Sequence, residues 1–168
     1  FATYLDGAGV GGLNTVVGGN VFAGGNRFAV YDGADITATG TLTTWNLNDT
    51  TTRTLTVSKE VNSLRMSGNT LTLGNGTTPV TLSLGMGLLT NNSGTTTIAG
   101  ANAGSALTSA NSQLHVFTNQ GNSVLNIRLT GSVDLVKSGG GNLTLGTGTS
   151  APSNDYTGIT YVNQGTLT

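Results

Sequence analysis

The stretch VDLVKSGGGNLTLGTGTSAPSNDYTGITYVNQGTLT, residues 133–168, decides the fold. Leu143 and Leu145 flank Thr144, and a second alternating run follows from Tyr156 to Leu167. Strict alternation buries one face of an extended strand and wets the other. Between these runs the Gly, Asn and Ser clusters supply tight turns. The same grammar extends outward. Apolar groups such as Leu55-Val57, Leu71-Leu73, Val80-Leu82-Leu84, Leu114-Val116 and Leu125-Ile127-Leu129 recur along the chain. Their typical separation is about nine residues, one short strand plus a turn. The gaps hold Ser67-Gly68-Asn69, Gly74-Asn75-Gly76 and Gln120-Gly121-Asn122. Thr, Asn, Ser and Gly are all poor helix formers, and Glu60 is the single glutamate. No apolar stripe of helical period runs beyond about two turns. The expectation is an all-β chain.

Short, evenly spaced strands suit a sandwich, a barrel or a solenoid. Few aromatics would leave a sandwich core thin, whereas outward Thr and Asn repeat as they would if equivalent positions stacked from coil to coil. A single β-solenoid domain over 1–168 is therefore expected, with roughly 20–30 residues per coil and about six to eight coils. Residues 1–30 are denser in Gly-Gly and hold three of the four Phe residues, as a cap or a less regular coil would. Residues 133–168 form the repeat-like end.

That end also resembles the autotransporter-associated β-strand repeat of secreted bacterial surface proteins. The matching residues are Leu135, Lys137, Gly139, Gly141, Leu143 and Leu145, then Tyr156, Gly158, Thr160, Val162, Gly165 and Leu167. They cover about a fifth of the chain. The resemblance implies a right-handed parallel β-helix, an extracellular or bacterial cell-surface location, and a passenger-type stalk or adhesive role. The chain departs from that family in carrying one clear repeat copy and no following membrane barrel.

Charge narrows the partners. Only 8% of residues are charged and the net charge is -1. Arg27, Arg53, Lys59, Arg65, Arg128 and Lys137 are scattered singly, which argues against nucleic acid and against an anionic membrane surface. No run approaches the roughly 18 apolar residues of a membrane span. Cysteine is absent, so stability must come from stacked hydrogen-bonded strands rather than disulfides. Phe1 opens directly into polar sequence without a signal peptide, as in a processed or internal segment.

Chemistry is poorly supported. Glycoside cleavage needs two carboxylates roughly 5–9.5 Å apart. Among Asp6, Asp32, Asp35, Asp49, Glu60, Asp134 and Asp155, only Asp32 and Asp35 are close in sequence, within the turn-like YDGAD. Polysaccharide lyases add basic and calcium-binding clusters, which are missing here. His115 lies between Leu114 and Val116, so alternation turns it outward, and a lone His is a poor metal site. Gly7–Gly12 and Gly139–Gly141 lack a following helix to cradle phosphate. No catalytic, metal or cofactor residues are assigned.

Three further expectations concern packing. Lys137 shares parity with Leu135 and Leu143, but a buried ammonium is costly, so the glycine turn after it should break parity and leave the charge in water. Tyr156 should lay its ring on a neighbouring coil with its hydroxyl toward solvent. Trp45, Tyr4, Tyr31, Tyr156 and Tyr161 are too scattered for a sugar-binding face. Thr-x-Thr pairs starting at Thr37, Thr54, Thr70 and Thr95 suggest an ice-binding solenoid as an alternative. Their starts lie 17, 16 and then 25 residues apart, however, and this drift argues against in-register ranks. Finally, Gly165-Thr166-Leu167-Thr168 falls inside the repeat with no capping element. Val162, Gly165, Leu167 and Thr168 are therefore candidate self-association residues, with another copy or another cell-surface component as partner.

Overall fold

The computed structural model describes residues 31–40, 42–91, 94–146 and 153–168. The suggested cap at 1–30 lies outside the described residues. Every regular element among those described is a strand. They are β1 (Leu42–Asn48), β2 (Arg53–Leu55), β3 (Lys59–Met66), β4 (Thr70–Leu73), β5 (Thr81–Thr90), β6 (Thr95–Gly100) and β7 (Ala106–Ser109). Beyond them lie β8 (Gln113–Thr118), β9 (Asn122–Asn126), β10 (Arg128–Leu129), β11 (Asp134–Ser138), β12 (Asn142–Leu145), β13 (Thr160–Val162) and β14 (Thr166–Leu167).

The first sheet runs β1-β3-β5-β8-β11-β13, and the second β2-β4-β6-β9-β12-β14. Each strand of the first sheet turns a corner into a strand of the second, which then returns one level further along the axis. Parallel neighbours cannot be joined by a tight hairpin, so the crossover is made by the opposite sheet. This is the parallel β-solenoid expected from the alternation, six strands deep in each sheet.

Loop length varies while strand register does not. Asn46 pairs with Ser63, 17 positions on, whereas Leu88 pairs with Val116, 28 positions on. Much of the surplus builds a third side. Thr81–Leu84 of β5 pairs with β7, while its Leu88–Thr90 half pairs with β8, and β10 then pairs with β7. The hinge is Gly85-Met86-Gly87, where Gly87 has φ 129° and Met86 is exposed.

Alternation places one file of side chains directly above another. Leu47, Leu64, Leu88, Val116 and Lys137 occupy one inward column through successive registered pairs, and none is more than 1% exposed. A second inward column runs Leu71, Ile98, Leu125 and Leu145. Stacking of like residues makes each rung depend on its neighbours. Truncating Val116 to Ala removes two buried methyl groups and leaves a cavity between rungs. The unfolding free energy in urea should fall by about 2 kcal/mol.

Candidate functional site

Two regions have chemistry beyond packing: the corner joining the two main sheets, and the outer face of the last rung.

The corner is polar inside. Asp49, Asn69, Thr90, Thr96, Thr118, Ser123 and Lys137 are all buried there. Their partners are local to the stack. Asp49 accepts from the Ile36 amide at 2.9 Å and from Arg53 Nε at 2.7 Å. Asn69 Nδ2 donates to the Thr51 carbonyl at 2.8 Å. The Thr90 and Ser123 hydroxyls meet at 2.6 Å, and the Thr118 hydroxyl donates to Ser123 at 3.2 Å. Buried polar groups are tolerated because each pays its hydrogen-bonding demand within the corner.

Lys137 corrects the expectation that its charge reaches water. Parity is kept and the residue is 0% exposed, its side chain lying inside the stack. The Nζ donates to the carbonyls of Ser138 at 2.9 Å, Gly139 at 2.7 Å and Gln164 at 3.0 Å. An ammonium has three donors, and all three are used. The first two acceptors belong to its own turn and the third to the next rung, so Lys137 ties two levels together. The corner itself needs left-handed backbone, which Gly139 (φ 80°) and Gly165 (φ 77°) supply in consecutive rungs. A Cβ on Gly165 would stand 2.9 Å from Lys137 Nζ, so the glycine also makes room for the charge.

The last rung differs from those below it. Val162 pairs with Lys137 and so continues the column of Leu47, Leu64, Leu88 and Val116, yet it is 48% exposed. Ile159 and Tyr161 beside it are also exposed. On the second sheet Leu167 pairs with Leu143 and packs partly against the core, and Gly165 and Thr168 are exposed. In parallel pairing, alternate residues address opposite neighbours. The Ile159 carbonyl accepts from Leu135, the Asn163 amide donates to Lys137, and the Thr168 amide donates to Leu143. The backbone groups of Thr160, Val162 and Leu167 therefore face the open edge. The four residues expected from sequence are brought to one end of the stack, and Ile159 and Tyr161, not singled out there, join them.

The acids sit in structural roles. Asp32 accepts from the Asn46 amide at 2.7 Å, and Asp134 accepts from the Ile159 amide at 2.8 Å. The Thr37 hydroxyl, donating to Asp35 at 2.6 Å, holds that carboxyl below the usual aspartate range, with the Thr37 amide and Arg53 at 3.2 Å adding to it. Asp155 meets Arg128 at the surface at 3.4 Å. Asp6 lies outside the described residues. A groove of about 380 Å³ beside Thr37–Gly40 and Val57–Glu60 has Glu60 as the one carboxylate among its described lining residues. His115 faces outward, with Nε2 3.1 Å from Gln113 Oε1. Among the described residues no three His, Cys, Asp or Glu side chains gather as a metal site would require. Tyr156 packs its ring against the core as expected, and its hydroxyl meets that of Thr160 at 2.7 Å. Trp45 lies over Gly33 and packs against the core.

Comparison with protein-family models, with curated proteins and with solved structures finds no match.

Proposed function

We propose that this chain is a non-catalytic, extracellular structural module: a rigid β-solenoid stalk or surface fibre that associates end to end with another copy of itself. The single observation behind this reading is Val162. Five residues in its column are sealed at 1% exposure or less, while Val162 stands 48% exposed at the top of the same column. A further rung laid on β13 and β14, from the same polypeptide or from another copy, would bury it, cover Ile159 and Tyr161, and pair the open edge. An exposed, apolar strand edge otherwise invites indiscriminate pairing. Head-to-tail contact of this kind extends into filaments where it does not close. The low charge and long polar ladders suit a module whose work is mechanical, and the resemblance of residues 135–167 to the autotransporter-associated repeat suits a bacterial cell-surface setting.

The test is sedimentation velocity over a range of concentrations. Wild-type protein should form dimers and longer species as concentration rises. Val162→Asp places a charge in the contact and should return the protein to monomer without lowering its melting temperature by more than a few degrees. A wild-type protein that stays monomeric at millimolar concentration, or a variant that assembles equally well, would rule the reading out.

A further inference from the structure

The outer face of the second sheet is the most regular surface of the molecule. Its strand pairs run without a register shift, whereas the first sheet breaks register between β1 and β3 and again between β3 and β5. Along its middle, strand register aligns Thr52, Thr70, Thr97, Val124, Thr144 and Thr168 as one outward column. Five are threonine, and the exception keeps the branched methyls. On one side the column is flanked by Thr54, Thr72, Ala99 and Asn126, and on the other by Thr95, Asn122, Asn142 and Thr166. None of these side chains is buried. The outward positions hold no charged and no aromatic residue among those described.

The uneven intervals between Thr pairs in the sequence argued against such ranks. In the structure those pairs are indeed offset: Thr54 pairs with Thr72, Thr70 with Thr97 and Thr72 with Ala99, so each successive pair slips by two residues, but Thr70 and Thr97 still share the central column. Stacking does not itself demand threonine. An equivalent outward column on the first sheet reads Asn48, Arg65, Leu89, Phe117, Ser138 and Asn163. The second face instead carries small, uncharged side chains, with threonine at five of the six central positions.

We infer that this face binds ice. Its rungs repeat at about 4.8 Å along the axis, and alternate residues along a strand stand about 6.6 Å apart. Water oxygens joined at about 2.75 Å in a tetrahedral network lie about 4.5 Å apart across a shared neighbour, with a stacking repeat of about 7.3 Å. Both protein spacings fall within roughly a tenth of the water lattice. Threonine presents a methyl to order adjacent water and a hydroxyl to anchor it, and a rigid sheet prepays the entropy of alignment. Charges would hold their own hydration shells and spoil the lattice. A polysaccharide surface would instead call for aromatic platforms to stack on sugar rings.

The face lies along the side of the stack, so this inference stands apart from end-to-end association. The test is nanolitre osmometry and adsorption of fluorescently labelled protein to a single ice crystal. Wild-type protein should shape the crystal and show thermal hysteresis. Thr97→Lys, and independently Thr144→Lys, should abolish both while circular dichroism reports an intact fold. Glu60→Lys, on the first sheet, should leave both unchanged. Absence of hysteresis and adsorption in the wild type overturns the inference. So does retention in both threonine variants, and so does binding to insoluble cellulose or chitin in place of ice.

Discussion

Replacing Lys137 with methionine should lower the unfolding free energy by about 4 kcal/mol, although the new side chain is apolar and enters an apolar column. Burying an ammonium is expensive, and hydrophobic replacement of a buried charge is often harmless when its partners leave with it. Here the partners cannot leave. The carbonyls of Ser138, Gly139 and Gln164 are backbone, held in place by the turns that they close. Methionine leaves all three facing a side chain that donates nothing, each at a cost of roughly 1–3 kcal/mol less what relaxation recovers. Urea unfolding checks the magnitude. A variant as stable as wild type would mean that the Lys137 contacts contribute nothing net.

The same residue carries a pH signature. Burial pulls the Lys137 ammonium below its ordinary value of 10.5. Between the folded and the unfolded value, the unfolded chain still holds a proton that the folded chain has lost. Stability therefore rises with pH across that window, which ends at the unfolded value. Subtracting the pH dependence of Lys137→Met from that of wild type isolates this contribution from the tyrosines and Lys59. A difference that falls as pH rises would reverse the sign and contradict the burial argument.

The second large effect belongs to Gly139. Its φ of 80° costs a non-glycine residue about 1–2 kcal/mol. A Cβ there would also fall well inside contact distance of the Thr118 backbone carbonyl, one rung below. Backbone in a ladder cannot swing aside as a side chain tip can, so Gly139→Ala should cost about 4 kcal/mol in total and separate the last two rungs from the rest. Gly140 is the control. It has no positive φ, and its Cβ would meet nothing closer than 3.9 Å, so Gly140→Ala should stay within about 0.5 kcal/mol of wild type. Equal effects at the two positions would remove the corner from the description of how rungs are held.

Much of this architecture is legible in the amino-acid order, because period-two alternation is a local property. Leu143 and Leu145 point inward, as their spacing requires, and Leu82 and Leu84 do the same. The inward parity of Lys137 is equally legible, and so is the conflict it raises. Its resolution is not, since the third acceptor is the carbonyl of Gln164, 27 residues away. Asp49 stands in the sequence as one acid among seven, and its burial against Arg53 follows only from the corner that closes over it. The single central threonine column is hidden for a related reason. Sequence intervals count loop residues, whereas surface ranks depend only on strand register. Ile159 and Tyr161 were passed over because the exposure of an apolar residue depends on whether another rung lies above it.

End-to-end association rests on the open edge at Thr160, Val162 and Leu167, and amide hydrogen exchange reads that edge residue by residue. At micromolar concentration these three amides should exchange quickly while those of Leu114, Val116 and Leu125 remain protected. As concentration rises, protection should grow at the three edge amides and nowhere else to the same degree. Exchange at Thr160, Val162 and Leu167 that is fast and independent of concentration would contradict the docking of a second copy on this rung.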